Sequence, residues 1–193
     1  MRKIFANYDG EGVYVYQAFT PSTVASALRR GTFDRGFNLE RMTWIKPSFG
    51  WMLYRSGYAS KHNQEAILKI KLTHAGFLEI LRQSVETSFN PRIYSSESDW
   101  TLALKHSEVR HQWDPERNLR LQKLDRRAIQ IGIRGATVKR YVNDWIISLE
   151  EVTQLAKALH QAIRQQQTDL PVAPIEIEYP VSAELQRSLG INP

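Results

Sequence analysis

A chain of 193 residues, 42% hydrophobic and 24% charged, is long enough to bury one substantial core and has the make-up of a globular protein in water. The absence of cysteine excludes disulfides, thiolate nucleophiles and thiolate zinc sites, and no apolar run approaches the roughly 18 residues that a membrane helix needs. A net charge of +6 favours an anionic partner, nucleotide or nucleic acid, and no membrane partner is expected.

Met1-Arg2-Lys3-Ile4 leads into polar residues and not into a signal-peptide core, which makes the cytoplasm the expected compartment. Val13 to Phe19 alternates Val13 and Val15 with Tyr14 and Tyr16 and reads as a strand. Thr20 offers a cap, Pro21 a first helical residue and Gly31 a stop, so a helix is predicted over Pro21 to Arg30 with Val24, Ala27 and Leu28 inward. Asp34 to Arg41 reads as a loop and Met42 to Ile45 as a short strand. Pro47 as first residue and Gly57 as terminator then define a helix of about three turns. On it Phe49, Met52 and Leu53 cover the face to be buried, while Ser48, Trp51 and Arg55 share another that looks into a cleft. Ala66 to Leu72 alternates as a strand with Lys69 and Lys71 on its exposed side. Thr73 caps a helix that buries Phe77, Ile80 and Leu81 and ends near Glu86.

Ser95 to Asp99 is a turn or loop, and Trp100 to Leu104 suits either a helix or a strand. Val109 to Trp113 is a strand that Asp114-Pro115 ends, since proline removes a donor and biases its predecessor to an extended conformation. Ala128 to Ile133 is a strand with Gln130 on the face opposite Ile129 and Ile131. A short helix over Ala136 to Asn143, a strand over Trp145 to Ser148 and a long helix over Val152 to Gln166 follow, the last with Leu155, Leu159 and Ile163 inward. Asp169 to Pro180 is an extended arm, and Ser182 to Leu189 a final short helix. Strands and helices interleave irregularly, which gives the α+β class. The expected organisation is one domain over 1–167, a mixed or antiparallel sheet flanked by helices, with an arm and short helix over 168–193 packed on it.

Between Arg110 and Arg140 nine basic residues stand against three acidic ones, either as a solvated surface or as a track for a phosphate backbone. The five histidines lack metal-binding spacing, so no metal is expected. The stretch Met42 to Tyr58 is dense in rings and cations. Lys46 and Arg55 suit a phosphate, arginine as a bidentate fork and lysine as a point charge, and Ser48 at a helix start adds a hydroxyl and an N–H. Trp51 and Trp113 offer rings to stack on a base, with Arg117 as a further cation. Asp114 or Glu116 suits a ribose hydroxyl or general-base work, and Gln130 either satisfies a buried network or touches a ligand. For each of these residues the plain alternative is core packing, surface charge or an internal ion pair.

Tyr16-Gln17-Ala18-Phe19, the run Met42 to Phe49 with Trp51-Met52 and Arg55-Ser56-Gly57, Gln112 to Arg117, Arg127 to Gly132 and Trp145-Ile146 together resemble the domain-of-unknown-function 4291 family. That resemblance implies no activity. A second one, to ADP-ribosyltransferase-like proteins, rests on the rhythm of Val13 to Gly31 and Thr43 to Tyr58. It implies NAD held at a strand-to-helix junction and a carboxylate, Asp114, Glu116 or Glu150, that stabilises positive charge on the ribose; Tyr16-Gln17 stand where those proteins carry His or Arg. The functional expectation is a nucleotide- or nucleic-acid-phosphate-binding protein that uses Lys46, Ser48, Trp51, Arg55, Trp113, Arg117 and Gln130; if it is an enzyme, the expected reaction is ADP-ribose transfer from NAD or a related reaction at a terminal phosphate. The alternative is a non-catalytic RNA- or DNA-binding module.

Overall fold

In the computed structural model, which describes residues 1–191, the chain runs in order through β1 (Phe5–Ala6), β2 (Gly12–Phe19), α1 (Pro21–Arg30), β3 (Thr43–Ile45) and α2 (Phe49–Ser56). It continues through β4 (Ala66–Thr73), α3 (His74–Arg82), β5 (Ser84–Glu86), α4 (Glu97–His106), β6 (Val109–Arg117) and β7 (Lys123–Ile133). The last part holds α5 (Gly135–Arg140), a π-helical turn (Tyr141–Trp145), β8 (Ile146–Glu151), α6 (Thr153–Arg164), β9 (Ile177–Glu178) and α7 (Ala183–Ser188). The class is α+β. Asn192 and Pro193, assigned above to the C-terminal arm, lie outside the described residues.

Two principal sheets carry the fold, ordered β2-β4-β8 and β3-β7-β6-β5, and a two-stranded ribbon pairs β1 with β9. All pairings are antiparallel except β5 with β6. The sheets meet where Tyr16 of β2 exchanges both backbone hydrogen bonds with Lys46, just past β3. Strand alternation then divides the interior in two. Val13 and Val15 of β2 and Leu68, Ile70 and Leu72 of β4 point into a cluster with Ile131, Ile133, Phe77 and Ile80. Tyr16 and Ile67, on the opposite faces of the same strands, pack with Phe49, Met52 and Leu53 of α2 and Leu159 of α6. The arm closes the first cluster through Tyr179, Leu185 and Leu189.

Helix α1 has the bounds its local signals require: Thr20 Oγ1 accepts from Thr23 N–H, Pro21 opens the helix and Gly31 ends it at φ 77°. Other elements depart from the sequence reading. Pro47 precedes α2 and does not open it, because Ser48 takes the cap position and its hydroxyl accepts from Trp51 N–H. Helix α3 stops at Arg82, and Ser84–Glu86 becomes a strand that exists through its parallel pairing with β6. Strand β6 does not end at Asp114-Pro115. It runs on to Arg117 through an irregularity between Pro115 and Arg117, a place where a missing N–H breaks no regular ladder. Trp100 to Leu104 is helical within α4. Lys71 is buried, not exposed: its ammonium meets Glu11 at 2.6 Å and Asp9 at 2.9 Å beside the Tyr14 ring.

Helix α2 sits hard against the end of β6. A Cβ added to Gly50 would lie 2.0 Å from the backbone carbonyl oxygen of Arg117, which cannot rotate away. Gly50→Ala is therefore expected to lose about 1–3 kcal/mol of stability, the overlap outweighing the ~1 kcal/mol that alanine gains in helix propensity. Urea unfolding should show a lower midpoint with an unchanged slope; an unmoved midpoint would mean that α2 has room to shift.

Candidate functional site

The register of the larger sheet gathers polar side chains on one face. Gln112 of β6 pairs with Gln130 of β7, Asp114 with Ala128, and Trp44 of β3 with Gly132, so Lys46, two residues on, comes level with Gln130. Alternation points Trp44, Lys46, Gln112, Asp114 and Gln130 to this face and Ile45, His111, Trp113, Ile129 and Ile131 to the core. The Gln130 amide donates its two protons to Asp114 Oδ2 at 2.6 Å and to Gln112 Oε1 at 2.7 Å, which locks the three side chains into one network. Gly132 keeps the floor low beneath Trp44 and Met42, since a Cβ there would lie 2.6 Å from the Met42 sulfur and 2.9 Å from the Trp44 ring. Lys46 and Gln130 are buried at 7% and 8% exposure, Gln112 and Asp114 half-buried, and Arg55 and Arg127 exposed at the rim. The result is a polar patch on this face of the sheet with exposed cations at its edge. Beside it opens a cavity of about 330 Å³, lined in part by Phe19, Phe37, Arg41, Met42, Thr43 and Asn63.

The Lys46 amine donates to the Trp44 carbonyl oxygen at 3.1 Å and, among the described residues, lies in no ion pair within 4.0 Å. Burial, with Arg55 adding like-charge repulsion and Asp114 opposing it, pulls its pKa down from 10.5 to about 7. Burial raises that of Asp114, against the Gln130 hydrogen bond and the charges of Arg55, Lys46 and Arg127. A lysine lowered toward neutrality beside a carboxyl of raised pKa makes a candidate acid–base pair.

A second cluster, of carboxyls, lies on the other side of Pro47. Ser48 Oγ donates to Glu116 Oε1 at 2.7 Å, and the same carboxylate accepts Arg117 N–H at 2.8 Å. Glu176 of the arm accepts the Phe49 N–H at the start of α2. The residue as a whole is half-buried, but its carboxyl is enclosed, and burial lifts its pKa from 4.5 to about 8 with help from the nearby Glu116. Glu116 is raised as well, again by burial first. Like-charge repulsion from Glu116 thus adds to burial in favouring the protonated form of Glu176.

The site residues expected from sequence thus fall into separate places. Lys46, Arg55, Asp114 and Gln130 come together. Ser48 and Glu116 are 2% and 1% exposed and hold each other, and the α2 N-terminus already carries a protein carboxyl, so it is not an open anion site. Trp113 is core: its indole N–H donates to the Leu189 carbonyl at 2.8 Å, behind the sheet. Trp51 is 5% exposed and stacks on Tyr54 at 5.1 Å, leaving no open ring face of the kind expected. Arg117 lies 4.3 Å over the Tyr54 ring and donates to the Leu121 carbonyl. Glu150 sits in the other sheet, exposed, 3.8 Å from Lys69. Gln112 and Arg127 belong to the patch and were legible only as parts of longer motifs; the pairing of Gln112 with Gln130 is what singles them out. Glu176 left no signal in the extended arm.

An α+β protein with one amide-rich, cation-rimmed patch on an open sheet face is what this fold and geometry define. The profile of the family described as Domain of unknown function (DUF4291) matches residues 3–179, and the chain belongs to that family. No curated protein matches it. Among the described residues, no helix is long and apolar enough to cross a membrane.

The two buried clusters give opposite pH signatures. Between pH 7 and 10.5 the unfolded chain holds a proton that folded Lys46 has shed, so this residue makes stability rise with pH over that window. Lys46→Met should remove that rise and be more stable than the parent at pH 7, as read by urea unfolding across the range. Between pH 4.5 and 8 the folded chain keeps the Glu176 proton that the unfolded chain loses, so stability falls as pH rises. Glu176→Gln should flatten that fall; an unchanged slope would place the carboxyl in water.

Proposed function

We propose that the patch over Gln130 binds a nucleotide. The observation that carries this reading is the gathering of Lys46, Arg55 and Arg127 around the Asp114–Gln130–Gln112 network, each cation acting electrostatically on Asp114. Arginines at a rim suit phosphate oxygens, for which their forked donors are matched. Amide and carboxylate groups on the floor suit ribose hydroxyls or base edges, and half-buried Trp44 with the adjoining Phe19 and Phe37 cavity suits a flat ring.

A compact ligand fits better than a nucleic-acid strand, because several guanidiniums of the basic run, though at or near the surface, already make contacts within the chain. Arg110 donates to the Leu104 carbonyl, Arg134 to those of Lys105 and Ser107, and Arg120 to that of Gln167. Arg126 lies over Phe5 and Arg140 over Trp145. A strand-binding surface needs free cations along its path. If the nucleotide is NAD and the reaction ADP-ribose transfer, Asp114 is the carboxylate for the developing ribose charge, since Glu116 is enclosed and Glu150 pairs with Lys69 in the other sheet.

Isothermal titration with NAD, ADP-ribose, ATP and a short single-stranded RNA, at low and moderate salt, tests the reading. The expected result is binding of at least one nucleotide that survives moderate salt and weakens about tenfold or more, on the order of 1.4 kcal/mol, in Arg55→Ala. Binding of RNA alone, lost with salt, would replace it with the strand-binding module.

A further inference from the structure

Lys46 is set up unlike a lysine that holds a phosphate. Such a lysine keeps its charge and turns its three donors toward solvent and ligand. Here the amine is enclosed and donates to the Trp44 carbonyl, Arg55 repels its charged form, and among the described residues no carboxylate pairs with it. Each circumstance withdraws support from the ammonium and favours the neutral amine, whose lone pair is nucleophilic. Holding the anion falls to Arg55 and Arg127, which lie exposed at the rim. Asp114, on the same face of the sheet, is near enough to act on Lys46 electrostatically but outside ion-pair distance.

From this arrangement we infer that Lys46 is a nucleophile that forms an imine with the aldehyde of a ring-opened ribose phosphate. The inference deepens the nucleotide reading above and rests on it. An amine and one acid–base group suffice for addition to a carbonyl, and the patch supplies that pair. In a nucleotide the available carbonyl is C1 of a ribose freed from its base, as in ADP-ribose. The Lys46 nitrogen adds to C1, forming the C–N bond while the carbonyl π electrons move to oxygen. In its carboxyl form Asp114 gives the oxygen a proton while the added nitrogen loses one to water, which returns it to Asp114, so a neutral carbinolamine results. Asp114 then protonates the hydroxyl, which leaves as water as the nitrogen lone pair forms the C=N bond, and the iminium N–H proton passes through water back to Asp114 to give the neutral imine. Amine and aldehyde give imine and water, with no oxidant or reductant consumed.

The test is to incubate the full chain with ADP-ribose, trap with sodium cyanoborohydride and map the adduct by peptide mass spectrometry, with binding measured in parallel by calorimetry. The expected result is one dominant adduct at Lys46, at least tenfold above any other lysine, forming faster as pH rises through about 7. Lys46→Arg should lose the dominant adduct while the background labelling of the other lysines is unchanged. Measured binding with no adduct, or with an adduct spread evenly over surface lysines, overturns the inference and leaves the nucleotide reading standing. If ADP-ribose does not bind, pyridoxal 5′-phosphate, a phosphate-bearing aldehyde that is not a nucleotide, decides the two separately. Selective trapping at Lys46 keeps the amine nucleophile and sinks the nucleotide as its substrate, whereas its absence sinks both.

Discussion

Tyr16 N–H donates to the Lys46 carbonyl at 2.7 Å and Lys46 N–H donates back to Tyr16 at 3.1 Å, and these two hydrogen bonds join the two principal sheets. Much else depends on that seam. Gln17 fills it from the neighbouring position, donating to Thr43 Oγ1 at 2.6 Å and accepting from the Tyr141 hydroxyl at 2.7 Å, so β2, β3 and the π-helical turn are tied at one buried amide. Because the Lys46 backbone is held on one sheet edge, its side chain is committed to the open face of the other sheet. A lysine with a free backbone would carry its ammonium to water; this one is kept where its charge is disfavoured.

The cost of that placement is borne beside a second one. Within three residues along the chain, Lys46 is pressed toward neutrality and the N-terminus of α2 receives Glu176, a carboxyl pressed toward its protonated form. Both shifts have the same leading cause, removal of a charge from water. Their consequences differ. The carboxyl cluster is closed off and fixes how α2 meets β6 and the arm, a structural task. The Lys46 cluster reaches the surface through half-buried Asp114 and Gln112 and the exposed Arg55 and Arg127. Buried ionisable groups near each other need not share a purpose, and exposure separates the two cases.

How legible each feature was in the sequence follows from how local its cause is. The bounds of α1, the glycine that ends α2, the cap of α3 and the alternation of β2 rest on residues within a few positions of one another, and these were readable. Strand β5 was not, because three residues become a strand only when β6 lies beside them. Trp113 followed by Asp-Pro-Glu-Arg read as a site motif, yet the strand phase turns Trp113 to the core while Asp114 faces out, and Glu116, past an irregularity in the ladder, is enclosed against Ser48. The strong run of basic residues suggested a free surface, but many of its guanidiniums end on carbonyl oxygens or rings.

By itself the sequence determined the α+β class, most element positions and the stretch around Lys46 as the place to look, since composition, periodicity and capping act over short range. Tertiary structure alone decided which of the motif residues meet. The pairing of Gln112 with Gln130, the level of Lys46 beside them and the arrival of Glu176 from the far end of the chain are set by register between distant strands and by the path of the arm. A one-residue change of register would turn every one of those side chains to the other face, and no local pattern in the chain records which register is taken.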